Sequence, residues 1–236
     1  MKRILKALAK AFCPQRCAYC GTVIAPDELM CEECEKILPR IKGEICVRCG
    51  RSKKDCNCKN AEKYYNGIAA PFYFSGNVRK GVHSFKFRNS PDNAEAFSYE
   101  MSETIRKRFG NIKFDYITEV PMTNKSRKDR GYNQCILLAK GISENTGIRY
   151  KSDVLFKLYE TDKQHGLKLY MRKGNLSGVF DVKNPSDVEG KTILLCDDIS
   201  TTGETLNECA KMLWLCGAAE IYGISLALTK IEKNKK

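Results

Sequence analysis

The sequence predicts an α/β fold, a parallel sheet flanked by helices, preceded by a small module built around cysteines. Three observations predict it. Nine of the 13 cysteines fall before residue 60, in closely spaced groups. From about residue 62 the cysteines thin out, and strand-length apolar runs alternate with segments of helical period. The 236 residues are 42% hydrophobic and 29% charged, the composition of a folded chain of one to two domains rather than a disordered one. The implied division is 1–60 for the module and 61–236 for the larger domain.

The first twelve residues, MKRILKALAKAF, are basic and apolar, but Lys6 and Lys10 interrupt the run, so it does not read as a secretory leader. No run approaches the ~20 apolar residues that span a bilayer. The expected compartment is the reducing cytoplasm, where clustered cysteines hold metal more often than they form disulfides.

The module is a tandem duplication. Cys17-Ala-Tyr-Cys20-Gly21 returns as Cys46-Val-Arg-Cys49-Gly50, and a second pair follows each, Cys31-Glu-Glu-Cys34 and Cys56-Asn-Cys58. Two thiolates so spaced can converge on one ion at about 2.3 Å, and the glycine permits the positive φ that folds the chain back around it. Four thiolates leave no place for water, so each site is structural. The predicted zinc ligands are Cys17, Cys20, Cys31 and Cys34, then Cys46, Cys49, Cys56 and Cys58. Sequential pairing follows the tandem repeat; interleaved pairing is the alternative. Arg48, Arg51, Lys53 and Lys54 make the second knuckle basic, and so small a patch reads as a solvated face. Cys135, Cys196, Cys209 and Cys216 read as small buried hydrophobes.

In the larger domain, residues 68–74 read as a strand, and 78–87 and 93–109 as helices, the second with Phe97, Met101 and Ile105 at four-residue steps. Residues 115–120 read as a strand, 133–145 as a helix, 154–159 as a strand and 160–175 as a long polar loop. A buried strand at 192–196, a helix at 203–216 and a last strand at 221–228 follow. Gly190 opens this βα unit and Gly217 closes its helix.

The most informative stretch is Cys196-Asp197-Asp198-Ile-Ser200-Thr201-Thr202-Gly203-Glu204-Thr205. Ligand crevices of open α/β sheets lie at the carboxyl ends of such strands. The Ser200–Thr205 turn offers backbone N–H groups at a helix N-terminus, hydroxyls without bulk, and a glycine for close approach, which together suit a phosphate. Two adjacent carboxylates repel, but a ribose diol gives each a hydroxyl to accept from. Carboxylates there would also stabilise positive charge developing at an anomeric carbon. Neither the Walker loop nor the Gly-x-Gly-x-x-Gly fingerprint is present.

Two further stretches point the same way. Lys125, Arg127, Lys128 and Arg130, followed by Gly131, Asn133 and Gln134, form a cationic loop at a strand end that suits pyrophosphate or substrate; a solvated basic loop is the alternative. Gln164, Gly166, Leu167, Arg172 and Asn175 lie in a polar segment that could close over a substrate, or serve as a linker.

The Asp-Asp-x-x-Thr-Thr-Gly stretch resembles the 5-phosphoribosyl-1-pyrophosphate (PRPP) motif of type I phosphoribosyltransferases. With the double zinc ribbon, Ser84-Phe-Lys86-Phe, Arg130-Gly-Tyr-Asn-Gln134 and the Gln164–Phe180 pattern, nearly the whole chain resembles the ComF family, which includes competence proteins implicated in DNA uptake. The resemblance implies a type I phosphoribosyltransferase-like fold. Asp197 and Asp198 would hold the ribose hydroxyls as catalytic residues, and Ser200, Thr201, Thr202, Gly203, Glu204 and Thr205 the 5′-phosphate. Mg2+ would accompany PRPP, and a phosphoribosyl group would pass to an unidentified acceptor.

The alternative is a non-catalytic, PRPP-binding factor that handles single-stranded DNA with other competence proteins. The +13 net charge supports it, with clusters at Arg79, Lys80, Lys86 and Arg88 and at Arg106, Lys107 and Arg108. Phe85 and Phe87 interleave with the first cluster but read as core, and His83 as an ordinary helix residue. A zinc-ribbon scaffold with a degenerate transferase domain ranks last, because the phosphate motif is complete.

Overall fold

Alternating apolar runs and helices assemble into one five-stranded parallel sheet. The computed structural model describes residues 14–58, 62–88, 90–122, 131–158 and 179–230. In chain order the elements begin with α1 (Glu32–Ile37), β1 (Gly67–Ala69), β2 (Phe72–Tyr73), α2 (Gly76–Phe87) and α3 (Asn93–Phe109). Then come β3 (Tyr116–Glu119), α4 (Gln134–Thr146), β4 (Leu155–Lys157) and β5 (Phe180–Val182). The chain continues with β6 (Thr192–Ser200), α5 (Glu204–Leu215) and β7 (Glu220–Leu228).

The spatial order is β1, β7, β6, β3, with β2 also pairing on β7. Successive side chains of β6 serve opposite faces. Leu194 and Cys196 pack on the side of α3 and α4, whereas Ile193 and Leu195 pack on the side of α5. The apolar spacing of α3 places Phe97, Met101, Ile105 and Phe109 on one buried stripe. Leu206, Cys209, Ala210 and Leu213 do the same for α5. Gly217, at φ 81°, ends α5, and its carbonyl accepts from the Gly190 N–H at 2.8 Å, so the two bracketing glycines meet.

Four readings are corrected. The 68–74 strand is two short strands, because Pro71 has no N–H and its carbonyl instead accepts from Ile41. The 154–159 segment pairs antiparallel with β5, outside the main sheet. The strand at 192 does not stop at Cys196. It runs to Ser200, held against β7 as far as Leu228, so Asp197 and Asp198 belong to the strand itself. Cys135, Cys196 and Cys209 are buried, but Cys216 is only half-buried.

The first cysteine knuckle enters the main core. Tyr19, 1% exposed, stacks against Phe72 at 5.6 Å and Phe97 at 5.3 Å between ring centroids. A bidentate Arg40–Glu100 pair, at 2.6 and 2.9 Å, ties the segment after α1 to α3. Gly81 on α2 makes this contact sterically possible: a Cβ there would lie 2.4 Å from the Ala18 carbonyl oxygen and 3.1 Å from the Tyr19 Cα. Backbone on both sides cannot yield cheaply, so Gly81→Ala is expected to destabilise the protein by about 1–3 kcal/mol, read by chemical denaturation, despite alanine's better helix propensity. A more stable variant would refute this close approach.

Candidate functional site

The carboxyl end of β6 brings two acids under cover. Asp197 and Asp198 are each 8% exposed. The Asp198 N–H donates to Asp197 Oδ1 at 2.8 Å, and the Cys135 thiol on α4 lies 3.8 Å from the same oxygen. Asp198 Oδ2 is 2.7 Å from Lys86 Nζ, supplied by α2. Burial pushes the Asp197 carboxyl up to about 7, and the charge of Asp198 adds to the rise; the Asp198 N–H and the Lys86 cation oppose it. The pair is thus one carboxylate neutralised by a lysine beside one that titrates near neutrality.

The turn that follows exposes its two threonines between a buried serine and a buried glycine. Ser200 is buried at the strand end, Thr201 and Thr202 are exposed, and Gly203 caps α5 with φ 81°, a conformation glycine adopts without strain. Glu204 and Thr205 stand exposed in the first turn of α5. The Ser200 carbonyl accepts from the Thr229 N–H at 3.1 Å, which fixes the turn's start to the end of β7.

Of the predicted cationic stretch, residues 123–130, with Lys125, Arg127, Lys128 and Arg130, lie outside the described residues. Gly131 is exposed at φ 74°, Asn133 caps α4 by accepting from the Cys135 N–H at 3.0 Å, and Gln134 is fully buried. Tyr132 packs on Phe85 of α2 and donates its hydroxyl to the Phe85 carbonyl, one residue from Lys86. The predicted closing segment, with Gln164, Gly166, Leu167, Arg172 and Asn175, also lies outside the described residues.

Sequence reasoning missed Lys86 as a site residue and counted it with a surface cluster. Its only local signal is a cation between Phe85, fully buried, and Phe87, 64% exposed. Arg79, Lys80 and Arg88 remain exposed and line a groove of about 900 Å³ between the first knuckle and α2, which reaches Lys86 and Ile199. Arg106, Lys107 and Arg108 fall in the last turn of α3, where cations offset the helix dipole.

The cysteines form two groups, Cys17, Cys20, Cys31 and Cys34, then Cys46, Cys49, Cys56 and Cys58, with all sulfurs of a group within 4.8 Å of one another. Pairing is therefore sequential, as the tandem repeat predicts. A tetrahedron with Zn–S bonds of about 2.3 Å has S···S edges of about 3.8 Å. Cys20–Cys31 at 3.6 Å, Cys46–Cys58 at 3.8 Å and Cys49–Cys56 at 3.7 Å match it, so the residues fit zinc. Gly21 and Gly50 have the positive φ their position predicts, 84° and 70°.

Comparison with known proteins gives two family matches, a double zinc ribbon domain over residues 8–64 and a phosphoribosyl transferase domain over residues 133–236. The chain is 28% identical over 210 residues to competence protein ComFC of Bacillus subtilis, covering 84% of this chain and 82% of that protein. It is 26% identical over 208 residues to the DNA utilization protein YhgH of Escherichia coli K12, covering 87% and 86%. To competence protein F of Haemophilus influenzae it is 27% identical over 222 residues, covering 90% and 96%. No helix among the described residues is long and apolar enough to cross a membrane.

Proposed function

Since the chain belongs to the ComF family, a double zinc ribbon joined to a phosphoribosyltransferase domain, we propose that it binds PRPP with magnesium and transfers the phosphoribosyl group to an acceptor during the handling of incoming DNA. One observation carries the reading: two buried carboxylates lie near the carboxyl end of a parallel strand, just upstream of a turn that exposes Thr201 and Thr202 and leads into a helix N-terminus. Asp197 and Asp198 accept hydrogen bonds from the ribose hydroxyls, and the Ser200–Thr205 backbone receives the 5′-phosphate. Magnesium, when bound with PRPP, neutralises the pyrophosphate. The C1–O bond to pyrophosphate breaks and its electron pair leaves with the pyrophosphate, the acceptor–C1 bond forms, and the acceptor's proton passes to the departing pyrophosphate or to water. Asp197 and Asp198 stabilise the positive charge that C1 carries between these events. Lys86 holds Asp198 in place and presents a cation where the pyrophosphate departs. The groove between the first knuckle and α2 opens beside this pair and admits the acceptor.

The protonation of Asp197 gives the test. Its folded-state value, about 7, lies above that of an unfolded chain, about 4. Its contribution to stability is therefore complete below about pH 4 and is lost as pH rises through about 7. A ligand that needs the ionised form binds in the opposite sense. PRPP affinity is expected to be full above pH 7 and to fall about tenfold per unit below it, measured by titration calorimetry with magnesium. Asp197→Asn should remove that part of the slope, which separates it from titration of the ligand phosphate. No heat at any pH would reject PRPP as the ligand.

A further inference from the structure

We propose that Arg51, in the second zinc ribbon, is a positioning residue that sets the phosphate-binding turn; this rests on the PRPP reading above. The sequence suggests a solvated side chain, yet Arg51 is 3% exposed and is the one basic residue buried among the described residues. Its guanidinium spans two segments of the larger domain. Nε donates to the Thr229 carbonyl at 2.9 Å, and Nη2 donates to the Thr201 carbonyl. Among the described residues no carboxylate pairs with it; its bonds go to main-chain oxygens.

The peptide geometry turns this into a statement about ligand binding. The described peptide bonds are trans, so each carbonyl points opposite to the N–H of the next residue. The Ser200 carbonyl is held by the Thr229 N–H and the Thr201 carbonyl by Arg51, both turned inward. The N–H groups of Thr201 and Thr202 are thereby directed to the open side of the turn, where an anion would sit.

Charge points the same way. A buried cation bound only to carbonyls is costly unless anions flank it. Behind Arg51 lies a zinc ligand: its own backbone N–H faces the Cys49 sulfur, and a four-thiolate zinc site is a net anion. In front lies the turn that would seat a phosphate. The knuckle itself is fixed in place, because Ile68 of β1 donates to the Val47 carbonyl at 3.0 Å and a Cβ on Gly50 would lie 2.9 Å from the Ile68 oxygen. The second ribbon is thus the back wall of the phosphate site.

Arg51→Lys tests this, because an ammonium keeps the charge but lacks the planar fork that spans two carbonyls. With zinc content unchanged, its affinity for PRPP with magnesium is expected to fall about tenfold or more, whereas affinity for magnesium pyrophosphate, which lacks the 5′-phosphate, stays that of the parent. Without any ligand, amide hydrogen exchange at residues 201–203 is expected to accelerate while the core of β6 is unchanged. Unchanged PRPP affinity, unchanged exchange, or an equal loss for pyrophosphate overturns the assignment. If the lysine variant loses zinc, Arg51→Gln is read by the same criteria. Should the parent protein bind no PRPP, the functional reading fails by itself, and exchange at the turn still decides the role of Arg51.

Discussion

Replacing Asp197 and Asp198 together by asparagine is expected to weaken PRPP binding by about 10²–10⁴-fold and to stop pyrophosphate release. Two charge-assisted acceptors are lost, each contributing about 1.5–3 kcal/mol. Asparagine keeps the shape but can point N–H donors at ribose hydroxyls that need acceptors. The fold should survive, because the substitution also removes a repulsion between two buried carboxylates, offsetting the loss of the Lys86 partner at 2.7 Å. Affinity and melting temperature should therefore move separately in calorimetry and thermal denaturation. A double variant that still binds PRPP like the parent would sink the ribose assignment.

Stripping zinc should be the more damaging change. Structural zinc contributes about 10 kcal/mol or more of apparent folding energy in small modules. Here the ribbons are not appendages. Tyr19 sits between the first pair of thiolates and fills the main core against Phe72 and Phe97. Asn77 on α2 donates to the Cys34 sulfur at 3.4 Å, and α2 carries Lys86. The second ribbon is sewn to β2 through Tyr73, whose hydroxyl donates to Asp55 at 2.6 Å and accepts from the Ser52 N–H at 3.1 Å. A chelator strong enough to remove the metal is therefore expected to lower the melting temperature, open residues 14–58 to proteases and release the helix that presents Lys86. Removal of zinc, verified by metal analysis, without change in melting temperature or protease resistance would contradict this coupling.

Both expectations draw on features that differ in how far apart their parts lie along the chain. The cysteine spacing specified four-thiolate sites, and the glycines after Cys20 and Cys49 took the φ their position requires. The apolar period of α3 specified its limits and its buried stripe, because helix faces are set by neighbours three and four residues away. The Asp-Asp and Thr-Thr-Gly run specified a strand, turn and helix for the same reason. Less legible was where β6 ends. Strand length depends on its partner, and β7 supplies pairing as far as Leu228, which kept both acids within the strand.

By itself, then, the sequence determined the chemistry that fits within one turn: the cysteine clusters, the α/β alternation, and an acid pair beside a hydroxyl-rich bend. Tertiary structure alone decided which distant cations serve that bend. Lys86 reads as one charge among several until α2 packs against the first ribbon and delivers it to Asp198. Arg51 reads as surface until the second knuckle docks on β1 and its side chain reaches a carbonyl 150 positions away. Spacing along a chain encodes what neighbours can hold together. The cost of burying a lone charge is met only by partners that packing brings from elsewhere.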